Sequence, residues 1–181
     1  MSDFLDSYLD EAARFGAVVH GVPADRWSAQ SPCEKWTAAD VVAHVVDTER
    51  GFASRHDLDL GPRPTGSPDA IWDEHLEAVR RVLGDGSVLT KAVDGFFGPT
   101  TVGDTLVTFY VLDLVVHRWD LARAVGTDTE FSDAEMDLLD RGITVFGEHM
   151  YDEGAFGAAV PAPPDASRQE RLLAVMGRSP R

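Results

Sequence analysis

Residues 36–55 read WTAADVVAHVVDTERGFASR, and this stretch decides the class of fold. Thr37 and Asp40 hold the N-cap and third helical positions of a capping box, while Trp36 and Val41 hold the flanking positions of a hydrophobic staple. A helix is therefore expected over 38–55. At about 100° per residue, Val41, His44, Thr48 and Phe52 share one stripe of that helix. The stripe should face a core, yet it carries an imidazole.

The same punctuation recurs on both sides. Upstream, residues 2–19 place Leu5, Tyr8, Leu9, Ala12 and Val19 at three- and four-residue steps, and Gly21-Val22-Pro23 ends the run. Downstream, Ser67-Pro68 opens a helix that turns Trp72, Leu76, Val79 and Leu83 inward until Gly84. Thr101 and Asp104 cap a fourth helix over about 102–125, closing at Gly126. Ser132 with Glu135, and Phe131 with Met136, start a fifth that runs to about 149, and a short helix near 167–176 ends the chain. Val88, Leu89, Val93, Phe96 and Phe97 among glycines allow two short strands within 88–97. The expected architecture is all-α: a four-helix bundle with an additional helix and a tail helix, one domain over residues 1–181, and at most a minor hairpin.

Composition narrows the function. The 181 residues carry 31 acidic and 16 basic side chains, a net charge of -15, which argues against nucleic-acid partners and anionic membrane surfaces. The acidic start, Met-Ser-Asp-Phe-Leu-Asp, lacks the basic region of a secretory signal, no apolar run is long enough to span a bilayer, and Cys33 has no partner for a disulfide. A cytoplasmic protein is expected. His-Glu-x-x-His, Glu-x-x-His, the P-loop and Gly-x-Gly-x-x-Gly are all missing, which excludes a zincin protease, disfavours a ferritin-like di-iron site and leaves nucleotide binding without support.

Polar residues on apolar stripes remain to be explained. On the fourth helix Leu106, Tyr110, Asp113, His117 and Ala124 fall on one face, with Asp113 and His117 one turn apart, about 6 Å of rise. With His44 they make three candidate metal ligands on two helices. Two imidazoles and a carboxylate with a vacant fourth position form the arrangement of catalytic zinc, although the same set suits ferrous iron, and Asp-x-x-x-His also reads as an ion pair. Other histidines have ordinary explanations: His20 and His75 as packed or capping residues, His56 and His149 at helix ends. Asp120 is either the acceptor that orients His117 or an ion-pair partner of Arg123. Arg80, Arg81, Arg118 and Arg123 offer an anionic substrate a local partner or, by default, read as solvated cations on helix faces. Cys33 lies before the Thr37 cap, where a helix N-terminus would lower its pKa, but about 10 Å of helix separates that cap from His44, so Cys33 is expected at the mouth of a site rather than on the metal.

The segments W-S-A-Q-S-P-C-E-K-W-T-A-A-D-V-V-A-H (27–44) and D-L-V-V-H-R-W-D-L-A-R-A-V-G (113–126) resemble the metal-binding segments of the mycothiol-dependent maleylpyruvate isomerase and DinB-like families. The tail E-R-L-L-A-V-M-G-R (170–178) is similar to the closing helix of a single-domain branch. The resemblance implies a four-helix bundle with a divalent metal, zinc or nickel, held at His44, Asp113 and His117. It also implies a low-molecular-weight thiol, mycothiol or bacillithiol, as cosubstrate for isomerisation or S-transfer on a small molecule. The isomerase has glutamate where this chain has Asp113, and it has a second domain for which 181 residues leave no room, so maleylpyruvate itself is not the expected substrate. A sensor or sequestering module without turnover is the alternative, and a homodimer is compatible with either.

Overall fold

The computed structural model describes residues 2–127, 129–152 and 156–179. Helix α1 spans Ser2–Gly21, α2 Ala38–Arg55 and α3 Pro68–Leu83. A helical turn, α4 (Gly86–Leu89), leads into the antiparallel hairpin β1 (Ala92–Gly95) and β2 (Gly98–Thr101). Then come α5 (Val102–Thr105), a π-helical turn over Leu106–Val111, α6 (Leu112–Ala124), α7 (Asp133–Phe146) with a 3-10 turn at Gly147–Tyr151, and α8 (Arg168–Val175). The result is a helix bundle with a minor hairpin. α1 packs on α3 and α6, and α2 packs on the same two, so the contacts close a ring around one apolar core that includes Tyr8, Phe15, Val41, Val45, Trp72 and Leu114. No described helix is long and apolar enough to cross a membrane.

The capping boxes form as read: Thr37 accepts from the Asp40 amide while Asp40 accepts from the Thr37 amide, and Ser132 and Glu135 do the same. Three boundaries differ from expectation. The strands lie at 92–95 and 98–101 rather than within 88–97, because Asp85 caps residues 86–89 into a turn of helix. The fifth helix stops at Phe146, where Gly147 takes φ 53° and the backbone tightens into the 3-10 turn. The fourth helix is not uniform from 102 to 125. Its π turn changes the angular phase ahead of α6, so Leu106 and Tyr110 do not keep the 3.6-residue register assumed for them. Asp113 and His117 both follow the turn and keep their one-turn relation.

A second apolar cluster, built from Leu112, Val115, Trp119, Leu139, Leu173 and Met176, fastens α7 and α8 to the outer face of α6. A Cβ at Gly142 would collide with Leu112 Cδ1, so a side chain there would force the buried Leu112 to repack. Arg118, expected in solvent, is buried at this seam. Its guanidinium lies 2.7 Å from Glu135 of α7 and 3.6 Å from Glu11 of α1, holding three helices through one charge. Burial, with Glu135 beside it, pushes the Glu11 carboxyl up to about 7 despite Arg118. Removing the cation would strand both carboxylates in a desolvated seam. Arg118→Ala is therefore expected to lower the unfolding free energy by about 3 kcal/mol, read as a shift of the urea midpoint at unchanged slope.

Candidate metal centre

His44 comes from the middle of α2, and Asp113 and His117 from the first two turns of α6, where the two helices pack together. One donor atom from each lies within 4.8 Å of the others. His117 Nε2 is 3.3 Å from Asp113 Oδ1, and His44 Nε2 is 3.9 Å from Asp113 Oδ2. Metal–ligand bonds of about 2.0–2.1 Å at tetrahedral angles set ligand atoms about 3.4 Å apart, so the first spacing is that of a zinc edge and the second is slightly open.

Ion pairing alone does not satisfy this group. Asp113 Oδ2 is buried and has no hydrogen-bond donor, an arrangement that costs free energy unless a cation completes it. Both imidazoles present Nε2 to the carboxylate and are held from behind through Nδ1, His44 by Thr48 Oγ1 at 3.5 Å and His117 by Asp120 Oδ2 at 2.9 Å. The Asp120 carboxylate keeps a proton on His117 Nδ1, so the neutral His117 ring offers its Nε2 lone pair to a metal. Hard carboxylate and borderline imidazole donors suit zinc, nickel and iron alike.

Asp120 is fully buried, and it orients His117 rather than pairing with Arg123, whose guanidinium lies over the Trp119 ring. Its other partner comes from the far end of the chain. Arg178 donates from Nε to Asp120 Oδ1 at 3.2 Å and from Nη2 to Oδ2 at 2.8 Å, and from Nη1 to the Met176 carbonyl at 2.8 Å. Gly177 allows this return: its φ is +77°, and a Cβ there would stand 2.7 Å from the Gly157 carbonyl oxygen. Sequence reasoning missed Arg178, although the Gly-Arg pair closing α8 was part of the segment singled out. It also gave Trp36 only a staple role, whereas the indole lies against His44 with centroids 4.3 Å apart and reaches His117 at 5.6 Å.

Without a bound ion, these contacts fix the charges. Burial opposes ionisation of Asp113, but the imidazoles, His117 foremost, hold its carboxyl far below the usual range. Burial would also lower His117, yet Asp113 and then Asp120 raise it to about 9. Burial works against Asp120 as well, while His117 and Arg178 bring it down to about 2.

Cys33 is half-buried at the cleft, its Sγ 3.4 Å from Asp120 Oδ2. Burial and the Asp120 charge push its thiol up to about 12 against the pull of Arg178, so the expected lowering by the α2 N-terminus does not occur. Cys33, His117 and Asp120 form a second possible ligand group, but Asp120 and His117 Nδ1 already bond each other there. The remaining histidines stand apart. His75 is buried against Glu49 at 2.8 Å, His20 pairs with Asp73 at the surface, His56 packs on Phe52, and His149 pairs with Asp152.

The ligand group opens into a cleft of about 600 Å³ lined by Cys33, Lys35, Trp36, Phe156 and Arg178 among others. A family model described as the mycothiol maleylpyruvate isomerase N-terminal domain matches residues 8–122, and the chain belongs to that DinB-like, metal-binding family. Two curated relatives, both described as uncharacterized proteins of Mycobacterium tuberculosis, from strain CDC 1551 / Oshkosh and strain ATCC 25618 / H37Rv, are each 25% identical over 177 residues. Those alignments cover 92% of this chain and 93% of each relative. No solved structure matches the chain.

Three outcomes follow from the site's electrostatics. In the metal-free protein the raised His117 contributes stability that is complete below its unfolded pKa of about 6.5 and lost as pH rises through about 9. Chemical denaturation of the metal-free protein should show that loss. Zinc titrations at pH 8 in buffers of different ionisation enthalpy should show about one proton released per ion, whereas none would contradict a protonated His117. Arg178→Ala should weaken zinc binding about 10- to 100-fold in competition with a chromophoric chelator, because Asp120 then holds His117 without its counter-ion. An unchanged affinity in a folded variant would reduce Arg178 to packing.

Proposed function

We propose that this member of the family is a zinc-dependent enzyme that adds a low-molecular-weight thiol, mycothiol, to a small electrophile. The observation that carries the reading is the buried, unpartnered Asp113 Oδ2 facing His44 Nε2 and backed by His117, at the inner end of a cleft large enough for a cosubstrate. Those three side chains would hold the ion, and three protein ligands leave a fourth position for a small molecule, as in catalytic zinc sites. When bound, the ion supplies a Lewis acid that favours thiolate over thiol at neutral pH.

The chain's own groups do the rest. Asp120, neutralised by Arg178, keeps the His117 proton on Nδ1 so that Nε2 stays a donor lone pair. Trp36 covers one side of both imidazoles and keeps bulk water from that flank. Burial and the Asp120 charge favour the Cys33 thiol over its thiolate, which supports a sulfur nucleophile supplied by the cosubstrate. The exposed Lys35 at the cleft gives a polar cosubstrate a local cation in an otherwise acidic protein.

Purified protein assayed for mycothiol consumption with iodoacetamide should show zinc-dependent turnover. His44→Ala and His117→Ala should each lose stoichiometric zinc and reduce the rate at least about 100-fold, while Cys33→Ser keeps both. Stoichiometric zinc without thiol-dependent turnover would instead mark a binding protein.

A further inference from the structure

Beside the polar cleft lies a second cavity, of about 220 Å³, that meets it at His44, Asp113 and Phe156. Its walls are Phe96, Phe109, Phe146, Phe156, Leu112 and the ring of Tyr110. Thr48 adds a hydroxyl beside His44, and the Tyr110 hydroxyl is engaged by Arg55. Apart from the ligand residues His44 and Asp113, no charged side chain lines this pocket among the described residues.

The rings form a continuous wall. Phe109 and Phe146 meet edge-on at 5.0 Å, Phe146 reaches Phe156 at 6.5 Å, and Phe97 packs on Phe146 at 5.7 Å and on Phe96 at 4.9 Å. Phe96 stands at the hairpin turn, 61% exposed and aimed at the pocket mouth, an unfavourable place for a large apolar ring that has nothing to cover. A cavity of about 150 Å³ with such walls suffices for benzene, so this one accommodates a single substituted ring. A carboxylate there would lose its hydration and, among the described residues, meet no arginine or lysine in return, only the Thr48 hydroxyl.

We infer that this pocket binds the electrophile, and that the electrophile is an uncharged molecule carrying one aromatic ring, its reactive carbon at the His44–Asp113 end. The assignment rests on the thiol-transfer reading above and divides that site: the polar cleft takes the thiol and the aromatic pocket takes its acceptor. For an aryl epoxide the balance closes without a further reactant. The S–C bond forms, a C–O bond breaks, its electron pair goes to oxygen, and the thiol proton ends there. A small dicarboxylate is disfavoured by the same walls.

Benzyl alcohol, which cannot react, tests the pocket by calorimetric or NMR titration of zinc-loaded and zinc-stripped protein. Saturable binding is expected in both forms, weakened about tenfold by Phe96→Ala, more by Phe96→Asp, and unchanged by Val145→Ala, another exposed apolar residue. Because Phe96 is exposed, both variants should keep the wild-type circular dichroism. Absence of saturable binding, or binding indifferent to both Phe96 changes, overturns the inference. Zinc-dependent mycothiol transfer to iodoacetamide without ring binding would defeat this assignment alone, whereas ring binding without any thiol transfer would defeat the thiol reading and leave the pocket standing.

Discussion

A carboxylate sits between two imidazoles at a helix–helix seam with one of its oxygens unmatched, and the rest of the site is arranged around that fact. A carboxylate oxygen buried without a hydrogen-bond donor is a costly feature for a small bundle to keep. Here it is held by a chain of contacts that runs from Asp113 to His117, Asp120 and Arg178, and so from the start of α6 to the last described turn of the protein. The tail is therefore part of the site. Although the family match ends at residue 122, the guanidinium that pairs with Asp120 lies at 178.

The π turn has a structural consequence for the same seam. It lets Tyr110 join the core and the aromatic pocket while Asp113 and His117 begin a regular helix directly after it. Such turns are common near functional sites because they reset which side chains face inward without ending the helix. The polar cleft and the aromatic pocket then meet at His44 and Asp113, a division of space suited to two small molecules of unlike polarity.

Much of the fold was legible because its signals are local. The boxes at Thr37/Asp40 and Ser132/Glu135 involve residues three apart, and the apolar stripes of α1 to α3 follow from helical periodicity. The meeting of His44, Asp113 and His117 was legible for a related reason: a polar group on an apolar stripe needs a partner, and two such stripes face each other in a bundle. What stayed hidden depends on distance or on departure from the regular period. Arg178 meets Asp120 across 58 residues, and an arginine near a chain end carries no local sign of burial. Arg118 reads as solvated from its sequence neighbours because its partners, Glu11 and Glu135, lie on other helices. The hairpin register turned on Asp85 capping a helical turn, which the glycines around it obscured.

The most direct measurement is X-ray absorption at the zinc edge of the loaded protein, before and after addition of mycothiol. Nitrogen and oxygen scatterers are expected at about 2.0–2.1 Å, including the multiple-scattering signature of two imidazoles, with a sulfur scatterer at about 2.3 Å that appears only with the thiol. A sulfur shell already present in the thiol-free protein, or a first shell without imidazole, would contradict this coordination.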